Sequence, residues 1–188
     1  MSEAMFWFLF GAGVVLAAVV LRRRFFEFAG QRVDDYGDGH PPFDLRRHLA
    51  GRLICEGAIF GPAGRVTSTF IAYFDAKWTG NVGVIDEEFL YDDGEKQQRQ
   101  WTITLAEDGT FTAKAPDVPG IGKGAQTGAA VLLRYPIRIP ERGGGYVLKA
   151  FDCMYLTEEG TIINRSQFRK FGIRVAELVA SIRPVTAP

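Results

Sequence analysis

The chain is poor in the residues that build metal sites and covalent frameworks: its 188 residues include two cysteines and two histidines. Cys55 and Cys153 lie far apart without C-x-x-C spacing, so neither a structural zinc site nor a disulfide framework organises the chain. They read as free, buried thiols. His40 and His48 lack a third ligand in register and read as surface residues, not metal ligands. An excess of one charge is missing too. With 22 basic and 22 acidic residues there is no electrostatic footprint for nucleic acid. No cofactor is implied.

Catalytic motifs are equally scarce. GIGKGAQTG carries glycines and a lysine without Walker spacing, because Asp117 and Gly124 occupy the places of the first glycine and the Ser/Thr. The G-x-G-x-x-A run from Gly120 to Ala125 precedes a strand-like stretch instead of opening a helix, which removes the dinucleotide reading. The serines have no G-x-S-x-G context and the histidines fall in a linker, so a nucleophilic triad has no base. VDDYGDGHPP resembles a calcium loop only loosely, since Tyr36 and Leu45 stand where acidic ligands belong. Asp92 and Asp93 are paired acids of a turn, placed before Gly94. No catalytic residue is assigned.

What the sequence does have is a long apolar run at its start. Met5 to Leu21 is uninterrupted and Arg22, Arg23 and Arg24 follow at once, the pattern of a membrane-crossing helix with a basic collar. A signal peptide would carry its positive charge before the run, and no cysteine stands near it to take a lipid. Residues 1–24 are therefore expected to be a transmembrane anchor, with Phe6, Trp7, Phe8 and Phe10 in the bilayer. By the positive-inside rule the arginines place the following domain in the cytoplasm of a bacterial cell, on a single-pass inner-membrane protein. The periplasm is the alternative.

Residues 25–50 read as an interfacial segment and linker, with Phe25, Phe26 and Phe28 at headgroup depth. From residue 51 to 188 the text changes to about nine short runs rich in β-branched and aromatic residues, punctuated by turns such as GPAG, DDGE and EEGT. That pattern predicts an all-β domain whose antiparallel meander hides its edges by closing into a lipocalin-like up-and-down barrel. IRVAELVASI is open between strand and helix.

DEEFLYDDGEKQQRQW places charge on both arms of a hairpin. Asp86, Glu88 and Leu90 share one face and Ile85, Glu87, Phe89 and Tyr91 the other, while Arg99, Trp101 and Ile103 share a face of the second arm. If the Arg99 face points inward the charge is buried and must be matched; if outward, it is a weak exterior pair. The candidate ligand-binding residues are Glu88, Arg99, Asp152, Asn164 and Arg165, set among Trp78, Trp101, Met154 and Tyr155. The bland alternative is a satisfied polar network tying strands together.

The ordered stretches FDL, GRLICEGAIF, KWTG, DEEFLYDDGEKQQRQW, DVPG, FDCMYL and NRSQFRKFGIRVAEL resemble the bacterial family called domain of unknown function 3833. The resemblance implies a lipocalin-like barrel and, in many members, a lipoprotein of the cell envelope. It supplies no catalytic residue. Two functions are therefore expected: a membrane-anchored barrel that binds a lipid or other small apolar molecule, or a non-catalytic accessory subunit whose helix packs against partners in a larger membrane complex. An enzyme acting on lipid ranks behind both.

Overall fold

The computed structural model describes residues 2–140 and 144–185. The chain divides into two compact units, Met1–Arg32 and Val33–Pro188.

The first unit is built on α1 (Glu3–Phe25), whose N-terminus is capped by Ser2 accepting from the Met5 N–H. Its 23 residues rise about 34 Å, enough to cross the hydrocarbon of a bilayer. The apolar side chains are not confined to one stripe. Phe6, Trp7, Phe8 and Phe10 are all exposed, and the Phe6, Trp7 and Phe10 rings cluster on the helix surface. The guanidinium of Arg24 lies over the Phe25 ring, while Arg23 has a side chain outside the described set. The helix stops at Phe25, and a single 3-10 turn, Phe28–Gly30, follows.

The second unit is a closed barrel of ten antiparallel strands: β1 (Gly51–Phe60), β2 (Val66–Thr79), β3 (Val82–Tyr91), β4 (Lys96–Leu105), β5 (Thr110–Lys114), β6 (Gly122–Thr127), β7 (Ala130–Arg138), β8 (Val147–Leu156), β9 (Ile162–Lys170) and β10 (Ile173–Pro184). Each strand pairs with its neighbours in sequence, and β10 closes on β1 with Leu53 opposite Pro184. The all-β, up-and-down architecture expected from the sequence is the one observed. Residues 173–183, open between strand and helix in the sequence, lie in the closing strand β10. RGGG, residues 142–145, also reads as a turn in the sequence, and part of it lies outside the described residues.

β6 is the strand missing from the sequence reading, because it lies in GKGAQT, a stretch with a single β-branched residue. Its glycines are a packing requirement. A side chain at Gly124 would land on the Phe111 ring of β5 and the Leu132 carbonyl of β7.

One end of the barrel is plugged by a segment that reads as linker. Phe43, Leu45 and Leu49 are buried in the core, Leu45 on α2 (Leu45–His48) and the other two flanking it; the N-cap Asp44 accepts from the Arg46 N–H. The plug is tied to the wall at three points: the Trp78 indole donates to the Leu49 carbonyl at 2.8 Å, the Leu45 N–H to Gln126 Oε1 at 3.1 Å, and the Phe43 N–H to the Gly128 carbonyl at 2.7 Å. Trp78 lies flat over Gly83, where any Cβ would meet the indole ring at 2.7 Å. The compact unit thus reaches back to Val33, well before residue 51.

The wall is incomplete on one side. β4 pairs with β5 only from Thr102 to Leu105, and β6 pairs with β7 only as far as Arg134. Residues 115–121 bridge the shortfall: Val118 is buried, and the Asp117 carbonyl accepts from the Arg138 N–H at 2.7 Å.

Candidate functional site

Alternation along the strands decides what faces the interior. On β3 the inward set is Ile85, Glu87 and Phe89, on β4 Arg99, Trp101 and Ile103, on β8 Asp152 and Met154, and on β9 Asn164, Ser166 and Phe168. These residues line a cavity of about 130 Å³ between the plug and the open end of the barrel. Most of its wall is apolar, with Phe70, Phe74, Phe89 and Phe168 contributing rings.

The polar part of the wall is ordered by two pairings. Arg99 grips Asp117 at two points, Nε to Oδ1 at 3.0 Å and a terminal nitrogen to Oδ2 at 2.9 Å, while its guanidinium lies 4.5 Å from the Trp101 ring centroid. Tyr135 donates its hydroxyl to Asp152 Oδ2 at 2.9 Å. Glu87 stands directly opposite Arg99 in the β3–β4 ladder. The charged face of the hairpin therefore points inward, and its charge is only partly matched.

Three acceptors on this wall and one donor, a terminal nitrogen of Arg99 that meets Asp117 as an ion pair without hydrogen-bond geometry, are left over. Glu87 Oε2, Asp152 Oδ1 and Asn164 Oδ1 are buried without a hydrogen-bond partner. Asp152 stands opposite Ser166 in the β8–β9 ladder, but its Oδ1 makes no hydrogen bond of ordinary geometry there. Asn164 spends an amide N–H on Ser166 Oγ at 3.3 Å.

Burial then dominates the ionisation of the acids. Desolvation pushes Glu87 up to about 7 against the pull of Arg99, with the negative charges of Asp152 and Asp117 adding to the rise. Desolvation also raises Asp152, although hydrogen bonds and Arg99 oppose it. For Arg99 burial alone would favour the neutral form, but Tyr135, Glu87 and Asp117 reverse the balance and hold it charged. Cys55 is buried and pushed up to about 12, so it faces the cavity as a thiol.

Of the residues singled out in the sequence, Arg99, Trp101, Asp152, Met154 and Asn164 come together around this cavity. The other four do not. Tyr155 is absent from the cavity wall and meets Tyr36 instead, hydroxyl to hydroxyl and ring to ring. Glu88 points to the outer face, one residue out of phase with Glu87. Arg165 is exterior and paired with Glu177, which also takes Arg174. Trp78 packs at the plugged end and holds Leu49. Glu87, Tyr135 and Ser166 are the polar wall residues that sequence reasoning passed over. Glu87 had a usable signal, since it alternates with Ile85 and Phe89. Among the described residues no group of three or more His, Cys, Asp or Glu side chains is arranged to hold a metal ion.

Residues 24–184 match the family described as Protein of unknown function (DUF3833). The chain belongs to that family. The DUF3833 chain has no match in sequence among curated proteins. Its fold is similar to that of the S-type phycobiliprotein lyase CPES from Guillardia theta, with 8% identity, a TM-score of 0.53 and coverage of 75% of this chain and 90% of that one. It is also similar to Rv2717c from M. tuberculosis, with 15% identity, a TM-score of 0.55 and coverage of 79% and 100%. At these identities the likeness concerns the DUF3833 fold alone.

Proposed function

We propose that this protein is a membrane-tethered binding barrel that takes a small, largely apolar molecule into its interior. The observation that carries this reading is the cavity of about 130 Å³, ringed by phenylalanines and closed at one end by the plug. An apolar cavity of about 150 Å³ is enough to hold benzene. The space as it stands suits a benzene-sized body or the end of a lipid chain, with the acids and Asn164 meeting a polar group. Few polar groups in an apolar wall are the usual composition of a small-molecule site.

The tether is α1, long and apolar enough to span a bilayer. The arginines after it favour a bacterial inner-membrane protein with the barrel on the cytoplasmic side. Membrane lipid is then the nearest source of a ligand.

The test is to purify the full chain in lipid nanodiscs and analyse it by native mass spectrometry, followed by extraction and identification of released small molecules. The binding reading expects a discrete mass added to the protein at defined stoichiometry. If no small molecule is found and an integral membrane protein copurifies in equal amount, the accessory-subunit reading replaces it. Reporter fusions at the C-terminus check the side of the membrane: alkaline phosphatase activity without green fluorescence would move the barrel to the periplasm.

A further inference from the structure

The donors and acceptors around the cavity do not balance. Arg99, the one cation lining the cavity among the described residues, is ion-paired with Asp117, and a single one of its terminal nitrogens is left as a buried donor against three open acceptors. The Tyr135 hydroxyl is committed to Asp152 and the Asn164 amide to Ser166. On the other side stand Glu87 Oε2, Asp152 Oδ1 and Asn164 Oδ1, all buried and without a partner. The charges are unequal as well. Asp117 neutralises Arg99, leaving Glu87 and Asp152 as two acids with no cation of their own.

We infer that the barrel interior contains a subsite for a protonated amine, with Glu87 and Asp152 as counter-charges and Asn164 as a neutral acceptor. The inference rests on the binding reading above and names the chemistry of the ligand's polar end. An ammonium group carries three N–H donors and one positive charge, which serves the open acceptors and neutralises one of the two acids, while desolvation favours a proton on the other. A neutral hydroxyl would satisfy an acceptor but leave two acids desolvated. An anion would bring a further negative charge into a wall whose single cation is already held. A metal ion would need a ligand cluster that the described residues lack. The remaining space and the phenylalanine wall set the other half of the ligand: a compact apolar body, aromatic or branched aliphatic, about the size of a benzene ring.

The groups that face Glu87 bear on how acidity acts. They are Cys55 from β1, Arg99 and Trp101 from β4, Asp117 from the bridging segment, Tyr135 from β7 and Asp152 from β8. Glu87 is about half protonated near neutral pH, so a bound ammonium draws it into the ionised form and competes with the proton. Amine affinity therefore falls as the solution is acidified.

The protein contains three methionines, Met1, Met5 and Met154, of which Met154 lines the cavity. Labelling the full chain with methyl-¹³C methionine in nanodiscs makes the Met154 methyl a reporter of interior occupancy that ignores ligand dissolved in lipid. Four probes are titrated: benzylamine, benzyl alcohol, toluene and benzoate. The expected result at about pH 8 is saturable movement of the Met154 signal by benzylamine at least about tenfold tighter than by toluene or benzyl alcohol. The benzylamine advantage shrinks at about pH 6, below the midpoint of Glu87, while toluene is unaffected. E87Q and D152N each reduce the affinity for benzylamine relative to toluene about tenfold. Equal binding of the neutral probes and benzylamine would overturn the amine subsite, with water or protons serving the acceptors, yet leave the binding barrel standing. Tightest binding by benzoate would overturn it in favour of Arg99 as the anchor. If no probe moves the Met154 methyl, the binding reading falls and takes the subsite with it.

Discussion

Glu87 and Arg99 face each other across the β3–β4 ladder, and the empty barrel's stability turns on the acid of that pair. An acid whose folded value is raised binds its proton more tightly in the folded state. Its contribution to stability is present below the unfolded value of 4.5 and is lost as pH rises through about 7. E87Q removes that loss. The variant should match the parent at about pH 4 and exceed it at about pH 8, by up to about 3 kcal/mol, in denaturant titrations of the ligand-free protein. Arg99 behaves in the opposite sense. R99M strands Asp117 and Glu87 and should cost about 3 kcal/mol, the low end for a broken buried pair because Asp117 keeps 24% of its side-chain surface exposed. A Tm unchanged by R99M would show that the pair contributes nothing. Parity explains which site residues were legible. Arg99 and Trp101 are two apart, as are Asp152 and Met154, so each pair shares a face and entered the site together. Asn164 and Arg165 are adjacent and cannot both face inward. Only the ladder partners, Met154 for Asn164 and Cys153 for Arg165, decide between them.

The elements differ in how openly they announce themselves. Strands such as β2 and β4 alternate clearly between buried and exposed residues, because one side meets the core and the other meets water. β6 escapes such a reading. Its place between Phe111 and Leu132 demands glycine, and glycine reads as loop. α2 escapes for a different reason, since four residues are too few to set up a helical period, and Leu45 and Leu49 sit among charged neighbours. Its importance lies in packing. Leu45 is fully buried, so L45A should cost about 2–5 kcal/mol by the transfer and cavity terms together. Native-state hydrogen exchange should show faster opening at residues 43–49 in that variant before any change at β3 or β8. A uniform loss of protection would mean that the plug and the wall open as one. At Gly83 any side chain meets the Trp78 indole, and G83V should release the Leu49 hydrogen bond by the same route.

For the whole molecule, the division at Arg32 and Val33 predicts that a chain beginning at Val33 folds without the anchor. Its far-ultraviolet circular dichroism should be dominated by β-structure, and a helix-dominated spectrum would refute the prediction. Recovery of that fragment in washed membranes would reveal an attachment that does not need α1. The meander itself has a temporal consequence. Nine of the ten ladders join strands adjacent in sequence, so hairpins can zip up as the chain leaves the ribosome. The tenth joins β1 to β10, where Arg183 reaches Glu56 across 127 residues. No barrel can exist until β10 has been made, whereas α1 emerges before any strand. At about 5–20 residues per second, the nascent chain spends several seconds with an open, unpaired β1 edge. Early capture of the anchor by a membrane would hold that edge away from other chains during the interval in which it is most prone to pair wrongly.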